Sequence, residues 1–579
     1  MSTAVVTSRE RLRLAQARVR ERSTWAATGA LAVLSLVAFV LLYRKGLRTI
    51  FYYDEWNFVL NRRDWTIGTF LEPHNEHLSL VPIALYKLLF VTVGIDDYAP
   101  YRTAVILVHL LCVALLFALV RRRVGDLIGL FVVLPILFLG TAWQDLLWPF
   151  QIAYLVSVAA GLGMLLALER RTTLGDVVAA VLIGLALASS SIGIPVAVLG
   201  AVELIARREP LRRLWLVAAP IGLYLLWSLV YGNPRAAPGA QDGLLPLLRQ
   251  NIPDTPGYVA SAAAGAFGGL TGWGIDWGRP LAVLAAIGVA LWFVSSRPFS
   301  PRAVAVLAAA LAYWGLTGLF RAQLNTPAQS RYLYFGAILL VLLGVEFLRE
   351  ARLAKRAVAL IGVLALTFSV SNFGPLQDGA RGLQATSGLV APALGALEVA
   401  GPSTDPQYRP RPDLAPDVAA GVYFETIEEL GSPADRPDQI RARLEPERQS
   451  ADTVLAQALG VTLQPRESPV SPGSRPQVDA VVAGGLSVRP GCVTLQPTAG
   501  GSILDVTVPP GGIAITTSGA APVEVRARQF ADAYPEGPLG TVGARSTAML
   551  RFPPRSDIGP WHVRLTPTEP VTVCGLAGR

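Results

Sequence analysis

The chain has little charge and almost no lysine. Only 16% of its 579 residues are charged, and the mean hydropathy is +0.45. A soluble protein of this size carries more charge, so the composition excludes that class and predicts a polytopic α-helical membrane protein. Lysine occurs only at positions 45, 87 and 355 beside abundant arginine, a bias typical of a high-GC bacterial genome, and we assign it no function.

The chain also lacks the basic, aromatic-interleaved stripe of a nucleic-acid-binding protein, although its formal net charge is +9. Its arginines lie instead in short clusters between apolar segments, where they indicate topology. A basic tail at 1–22 precedes a first apolar run at 23–43, which places the N-terminus in the cytoplasm. That run has no small-residue cleavage site, so we expect an uncleaved span.

About eleven transmembrane helices fit the hydropathy pattern. They are predicted at 23–43, 101–120, 125–141, 151–168, 174–190, 192–206, 213–231, 279–296, 303–320, 331–348 and 356–373. With this number, the arginine clusters of alternate loops all fall on the cytoplasmic side. A further crossing at 78–94 or 257–272 would place the arginine clusters that follow it on the outer side. We therefore predict an interfacial helix at 78–94 and an outward-facing C-terminus.

Four parts follow one another along the chain. We predict a cytoplasmic tail at 1–22, a transmembrane domain at 23–376 with its first outer loop at 44–100, an extracytoplasmic linker and helical region at 377–479, and an extracytoplasmic β-sandwich at 480–579. Short alternating runs between Gly and Pro turns predict sandwich strands at 503–508, 523–527, 561–565 and 571–574. Cys492 and Cys574 bracket the sandwich, and an oxidising exterior permits a disulfide between them.

Two adjacent carboxylates, Asp54 and Glu55, follow the first span. Tyr52, Tyr53 and Trp56 would cover their flanks, and a half-desolvated carboxylate has the raised pKa of a useful general base. The pair therefore marks a candidate catalytic site in a water-filled cavity. Solvated loop carboxylates are the alternative interpretation.

His74, Asn75, Glu76 and His77 form a second polar cluster in the same loop. Their spacing matches neither the His-Glu-x-x-His helix motif nor a zinc finger, so we assign no metal ligands. We predict that the cluster binds substrate through hydrogen bonds to a phosphate or a sugar. A metal site is the less favoured alternative.

The next outward loop runs from Trp143 to Gln151 and contains Asp145. An aromatic interface belt explains its Trp and Phe residues but not the carboxylate. We predict that Asp145 completes a two-acid site or orients the acceptor. Trp56 and Gln151 are further substrate-binding candidates.

Arg321 and Arg331 are predicted on the outer side, against the topological bias for arginine. A guanidinium at that level suits bidentate binding of a phosphate, so both arginines, with the neighbouring Tyr332, are predicted to bind an anionic donor. Lys87 on the interfacial helix is a further phosphate-binding candidate. Snorkelling anchors for lipid headgroups are the alternative for the three basic residues.

These motifs resemble the GT-C superfamily of membrane glycosyltransferases, especially the protein mannosyltransferase and aminoarabinose transferase type. The similarity covers about residues 50–375 and rests on short motifs. The matching segments are Asp54-Glu55 for the acidic motif, Pro73 to Leu78 for the His-Pro-Pro-Leu segment, Asp145 for the second acidic position, and Arg331-Tyr332 for the late Arg-Tyr motif. Asn75-Glu76 replaces the Pro-Pro pair, which is a departure from the family.

The resemblance implies a glycosyltransferase whose donor is a sugar on a polyprenyl phosphate that enters from the membrane lipid on the outer face. Asp54 would deprotonate the acceptor hydroxyl, which attacks the anomeric carbon with inversion. Arg331, with a second basic residue, would stabilise the departing phosphate. Glu55 and Asp145 would orient the acceptor or bind a divalent cation, and no other cofactor is implied. The acceptor is a glycan, lipid or protein of the cell envelope.

A lipid-linked sugar transporter and a non-enzymatic scaffold that binds envelope polysaccharide are the alternatives. Transporters show internal repeats and polar residues at mid-membrane depth, whereas the polar residues here collect in the outward loops. A ligase with a polyprenyl-linked polymer as donor would have similar loops. The sugar, the acceptor and the oligomeric state stay open.

Overall fold

A computed structural model describes residues 8–233, 239–295, 300–349, 351, 353–466, 473–553 and 558–577, with side chains from residue 24 onward. The α-helices are α1 Ser8–Lys45, α2 Glu55–Asn61, α3 Ile67–Leu71, α4 Leu80–Val93, α5 Ala99–Val124, α6 Asp126–Leu137, α7 Trp143–Leu147, α8 Ile152–Leu168, α9 Thr173–Leu187, α10 Gly193–Ala206, α11 Trp215–Tyr231, α12 Leu244–Asn251, α13 Thr255–Thr271, α14 Ile275–Val294, α15 Pro301–Arg321, α16 Ser330–Leu348, α17 Lys355–Ser371, α18 Phe373–Ala400, α19 Ala420–Leu430, α20 Pro437–Arg441 and α21 Glu445–Ala458. The strands are β1 Gln464–Arg466, β2 Gln477–Val482, β3 Gly485–Arg489, β4 Cys492–Gln496, β5 Ile503–Thr507, β6 Ile513–Thr517, β7 Val523–Arg528, β8 Gly540–Val542, β9 Thr547–Leu550, β10 His562–Thr566 and β11 Val571–Gly575.

Nine helical segments among the described residues are long and apolar enough to cross a bilayer, which indicates a multi-pass membrane protein. They are Thr24–Lys45, Ala99–Val124, Asp126–Leu147, Pro149–Leu168, Leu211–Tyr231, Ile275–Val294, Pro301–Leu324, Ser330–Leu348 and Lys355–Ala400. Each coincides with a predicted span, so the helical membrane class is confirmed. The orientation of the termini stays a prediction.

Two of the eleven predicted spans are not confirmed. The runs at 174–190 and 192–206 form α9 and α10, with 15 and 14 residues, fewer than the roughly 20 that cross a bilayer. Between them, residues 188–192 leave the helical conformation, and the hydroxyl of Ser190 hydrogen-bonds that of Ser157 over 2.9 Å. The predicted boundary between the two runs, at residue 191, lies within this break.

Some predicted parts lie outside the described residues: 1–7 of the tail, 296 of the eighth span, 467–472 of the linker, and 554–557 and 578–579 of the sandwich. The two segments predicted not to cross, 78–94 and 257–272, correspond to α4 and α13. Close packing of α13 and α14 explains Gly268 and Gly278, because a Cβ on Gly268 would overlap the carbonyl of Gly274, and one on Gly278 would overlap the carbonyl of Ala264.

The chain divides into two compact units. The helical unit comprises residues 1–47, 61–92 and 99–383, and the mixed unit comprises 48–60, 93–98 and 384–579. Residues of the predicted outer loop at 44–100 therefore belong to both units.

Two antiparallel sheets form the C-terminal part of the mixed unit and confirm the predicted β region. Their strand orders are β1-β9-β6-β11-β4-β3 and β2-β5-β10-β7-β8. Buried and partly exposed residues alternate along β10 and β11, as in sheets that bury one face. The register of β4 and β11 places Cys492 opposite Cys574, and a disulfide joins them.

A buried carboxylate connects α21 to the segment that follows β7. Asp452 accepts backbone hydrogen bonds from Phe530 at 2.7 Å and Ala531 at 3.0 Å, and it is 1% exposed. Burial outweighs these bonds and raises the pKa of Asp452 to about 6. The folded protein therefore holds this proton more tightly than the unfolded chain.

We expect Asp452 to make the mixed unit less stable as the pH rises. Its contribution is fully present below the unfolded pKa of about 4 and is lost as the pH passes through the folded value, a change of about 2 to 3 kcal/mol. Thermal unfolding of the wild type and of Asp452→Asn in detergent, between about pH 4 and pH 8, measures it. The wild type should lose more stability over this range than the variant, and equal slopes would contradict the assignment.

Candidate functional site

The helical unit encloses a cavity of about 310 Å³. Four residues predicted from the sequence line it, namely Glu76, His77, Arg321 and Tyr332. The apolar part of the wall includes Ile192, Ile194, Pro195, Leu316 and Phe320. The cavity thus combines charged and phenolic groups with a surface that suits a hydrocarbon chain.

A tight turn directs Glu76 and His77 to the cavity. His74 and His77 exchange two backbone hydrogen bonds of 3.0 Å, and Asn75 between them has a φ of 53°. Asparagine adopts this left-handed conformation more readily than most residues, which explains its place in the turn. Arg62 fixes the preceding segment, because its guanidinium donates to the carbonyl of Pro73 at 2.9 Å.

Glu76 and Arg321 form an ion pair whose side chains are 18% and 12% exposed. The same carboxylate oxygen, Oε1 of Glu76, lies 3.4 Å from Nε2 of His77. Burial lowers the pKa of His77, Arg321 and Arg331 lower it further, and Glu76 opposes them. Burial also lowers the pKa of His74 to about 3, with smaller effects of His77 and Arg62. Both imidazoles are therefore neutral near pH 7.

Arg331 begins α16 beside the short helix α7. The side-chain oxygen of Gln144 accepts from the backbone N–H of Arg331 at 3.1 Å, and Ser330 Oγ accepts from the backbone N–H of Gln144 at 3.1 Å. This exchange brings Arg331 close enough to Asp145 and His77 to act on both electrostatically. Asp145 is fully buried, and neither of its oxygens accepts a hydrogen bond from the described residues.

Asn372, which the sequence analysis did not single out, anchors the segment that leads into α7. Its side-chain oxygen accepts from the backbone N–H of Thr141 at 2.9 Å and from the Thr141 hydroxyl at 3.1 Å. Its amide donates to the carbonyls of Phe368 at 2.9 Å and Gly269 at 3.2 Å. Asn372 therefore positions the backbone just before Trp143 and, through it, Asp145.

Other predicted residues of the helical unit lie away from the cavity lining. The ammonium of Lys87 donates to the backbone carbonyl of Asp64 and lies 4.8 Å from the ring centroid of Phe70. The His74 ring packs edge-on against Phe150 at 5.3 Å. Gln151 is 2% exposed. Lys87 and His74 thus have partners within the fold, and Gln151 is enclosed by it, while their predicted roles in substrate binding stay predictions.

Asp54, Glu55 and Trp56 belong to the mixed unit. The two acids differ in their burial. Glu55 is fully buried, and one of its oxygens accepts from the Tyr98 hydroxyl at 2.7 Å and from the backbone N–H of Tyr52 at 3.1 Å. Trp56 is fully buried as well. Asp54 is half-buried. Of the two acids, Glu55 is therefore the one committed to holding the local fold.

Several residues of the cavity were not predicted, above all Tyr154, Tyr224, Trp227 and Tyr313. They lie within apolar helices. In such a helix, the polar tip of an aromatic side chain is the one sequence feature that could have identified them as cavity residues. Trp227 Nε1 donates to the carbonyl of Leu71 at 2.7 Å, which ties α11 to the segment before the His74–His77 turn.

Within the described part of the chain, no three His, Cys, Asp or Glu side chains converge as a metal site. Comparison with protein-family models and with curated proteins finds no match for this chain. The function is therefore argued from the geometry: a buried guanidinium and phenol groups can hold an anion, while the apolar wall can hold a hydrocarbon chain.

Replacement of Asn372 by leucine should destabilise the helical unit. It leaves the backbone N–H of Thr141 without its acceptor, whereas the carbonyls of Phe368 and Gly269 keep other donors, so we expect a cost of about 1 to 3 kcal/mol. Thermal unfolding in detergent measures the loss. Gln250→Leu is the matched control, because it replaces an exposed amide of α12 by the same residue. An Asn372→Leu midpoint equal to that of the wild type would contradict the role.

Proposed function

We propose that the protein is a GT-C-type membrane glycosyltransferase that transfers a sugar from a polyprenyl phosphate to an acceptor hydroxyl on the outer face, with inversion. The observation that carries the proposal is the cavity of the helical unit. Arg321 and Tyr332 line this cavity together with apolar side chains. A lipid phosphate needs both, because its headgroup is anionic and its chain is a hydrocarbon.

The volume of the cavity supports a headgroup site. About 310 Å³ lies at the small end of the range for small-molecule sites. A sugar phosphate and the first part of a prenyl chain fit this range, whereas a whole polyprenyl chain does not. The rest of the chain would stay in the membrane lipid.

Transfer requires two chemical roles. A base takes the proton of the acceptor hydroxyl as its oxygen attacks the anomeric carbon, and the phosphate leaves with the electron pair of the broken bond. We assign the base to Asp54 and the stabilisation of the phosphate to Arg321 and Arg331. The contacts of Glu55 with Tyr98 and Tyr52 support Asp54 over its neighbour.

Lys87 is a weaker candidate for the phosphate than Arg321, since its ammonium already contacts the Asp64 carbonyl and the Phe70 ring. Asp145 would orient the acceptor, as the resemblance implies. Asp145 is fully buried and close enough to Arg331 for an electrostatic interaction, which supports a positioning role.

The same cavity would suit a lipid-linked sugar transporter, so this remains the second candidate. The scaffold alternative has less support. All four aromatic residues after position 464, which are Phe530, Tyr534, Phe552 and Trp561, are buried, whereas carbohydrate-binding surfaces use exposed aromatic rings for contact.

Asp54→Asn should abolish transfer while the protein still folds and inserts. Loss of a general base lowers the rate by about 100-fold to 10,000-fold. Membranes that contain the wild type or the variant are supplied with radiolabelled polyprenyl-phosphate sugars, and label in the envelope fraction is counted. Asp438→Asn, an exposed aspartate of the same unit, is the matched control. Full activity of Asp54→Asn would move the base to Glu55 or Asp145, and no transfer by the wild type from any donor would favour the transporter.

Arg321→Gln should weaken donor use. The loss of charge-assisted hydrogen bonds to a phosphate costs about 1.5 to 3 kcal/mol, so we expect the KM for the donor to rise by about tenfold to 100-fold. Initial rates against donor concentration measure this. Arg279→Gln is the control, because Arg279 is exposed and pairs with Asp276 outside the cavity. An unchanged KM would contradict the assignment of Arg321.

A further inference from the structure

Glu76 lies between two basic side chains on the cavity wall. Its Oε1 pairs with the guanidinium of Arg321 and lies 3.4 Å from Nε2 of His77. Its Oε2 is buried and has no hydrogen-bond partner among the described residues. The positive charge of Arg321 is thus already balanced by a carboxylate from a different part of the chain.

A phosphate that binds Arg321 meets this carboxylate. Two anions on one guanidinium in a poorly solvated cavity repel each other strongly, so the phosphate and Glu76 compete for the same donors. If the phosphate displaces Glu76 from Arg321, His77 is the basic group nearest to the Glu76 carboxylate. The imidazole must then gain a proton to form an ion pair, and that proton comes from water.

We propose that Glu76 and the donor's phosphate compete for Arg321, and that Glu76 pairs with His77, which takes up a proton, when the phosphate binds. This inference rests on the proposed function and adds how the site controls donor affinity. Glu76 limits affinity for the anion, and donor binding consumes one proton.

The charges around His77 set the direction of the pH dependence. Glu76 belongs to the same turn as His77, Arg321 ends α15, and Arg331 begins α16. His74 is the other titratable group of the turn, and Tyr154, Tyr224, Tyr313 and Tyr332 also line the cavity. Phosphate on Arg321 and a carboxylate moved to His77 both favour the protonated imidazole. Donor affinity should therefore fall as the pH rises.

The test measures binding of farnesyl methyl phosphate to the full-length protein in detergent. This phosphodiester has a single negative charge that does not titrate near neutral pH. Wild type, Glu76→Gln, His77→Gln and Glu72→Gln are titrated between about pH 5 and pH 8. Glu72→Gln is the matched control, since it removes a carboxylate from the same loop that pairs with Arg62 instead of Arg321. Farnesol reports the contribution of the apolar chain alone.

We expect Glu76→Gln to bind the phosphodiester about tenfold more tightly than the wild type, because no anion competes for Arg321. Wild-type affinity should fall with rising pH by up to tenfold per pH unit, the limit for one proton. His77→Gln should lose this dependence, Glu76→Gln should weaken it, and Glu72→Gln should keep it. Farnesol affinity should not change in any variant.

Equal affinity of the wild type and Glu76→Gln, or weaker binding by the variant, would overturn the competition and leave the proposed function intact. Binding to neither protein, with both folded, would overturn this inference together with the lipid-phosphate donor. If Glu76→Gln does not fold, the wild type and His77→Gln decide the matter: a flat wild-type pH profile overturns the inference, and a slope that His77→Gln removes supports it.

Discussion

Charged side chains that are buried away from water must find their partners within the protein, and this constraint organises the helical unit. Arg302 and Glu203 show it most clearly, with two hydrogen bonds of 2.6 and 2.8 Å and side chains that are 4% and 0% exposed. They join α15 to α10. A pair of this kind adds little net stability, but it strongly penalises arrangements that separate its members. The helices can therefore pack in few ways, and the cavity among them keeps its shape.

Arg321 also has a carboxylate partner within the protein, but this pair lies at the wall of a cavity. Arg302 and Glu203 line no described cavity, whereas Arg321 and Glu76 both line one. An ion pair at a cavity wall can exchange a partner for a ligand, and a fully enclosed pair cannot do so without unpacking. The distinction between structural and functional charge in this protein thus depends on access and not on residue type.

Local patterns in the sequence predicted the parts of the fold that depend on local composition. Nine spans and the C-terminal strands could be placed because hydropathy and alternation are properties of neighbouring residues. The hydrogen bond between Ser190 and Ser157 could not be predicted, since it joins residues that are 33 positions apart in different helical segments. The pairing of Glu76 with Arg321 was missed for a similar reason: 245 positions separate them, and no periodicity connects such residues. The acidic pair at 54 and 55 could be found, but only packing distinguishes its two members.

The mixed unit is assembled from three stretches of chain, residues 48–60, 93–98 and 384–579. Glu55 and Tyr98 come from the first two, and Trp56 has its ring 6.4 Å from that of Tyr423 in the third. During synthesis the first two stretches leave the ribosome long before the third exists. The buried side chains of Glu55 and Trp56 must therefore remain without their final environment while most of the membrane helices are made. Membrane insertion and folding of this unit are consequently ordered in time: it reaches its native packing only after the last span has been synthesised.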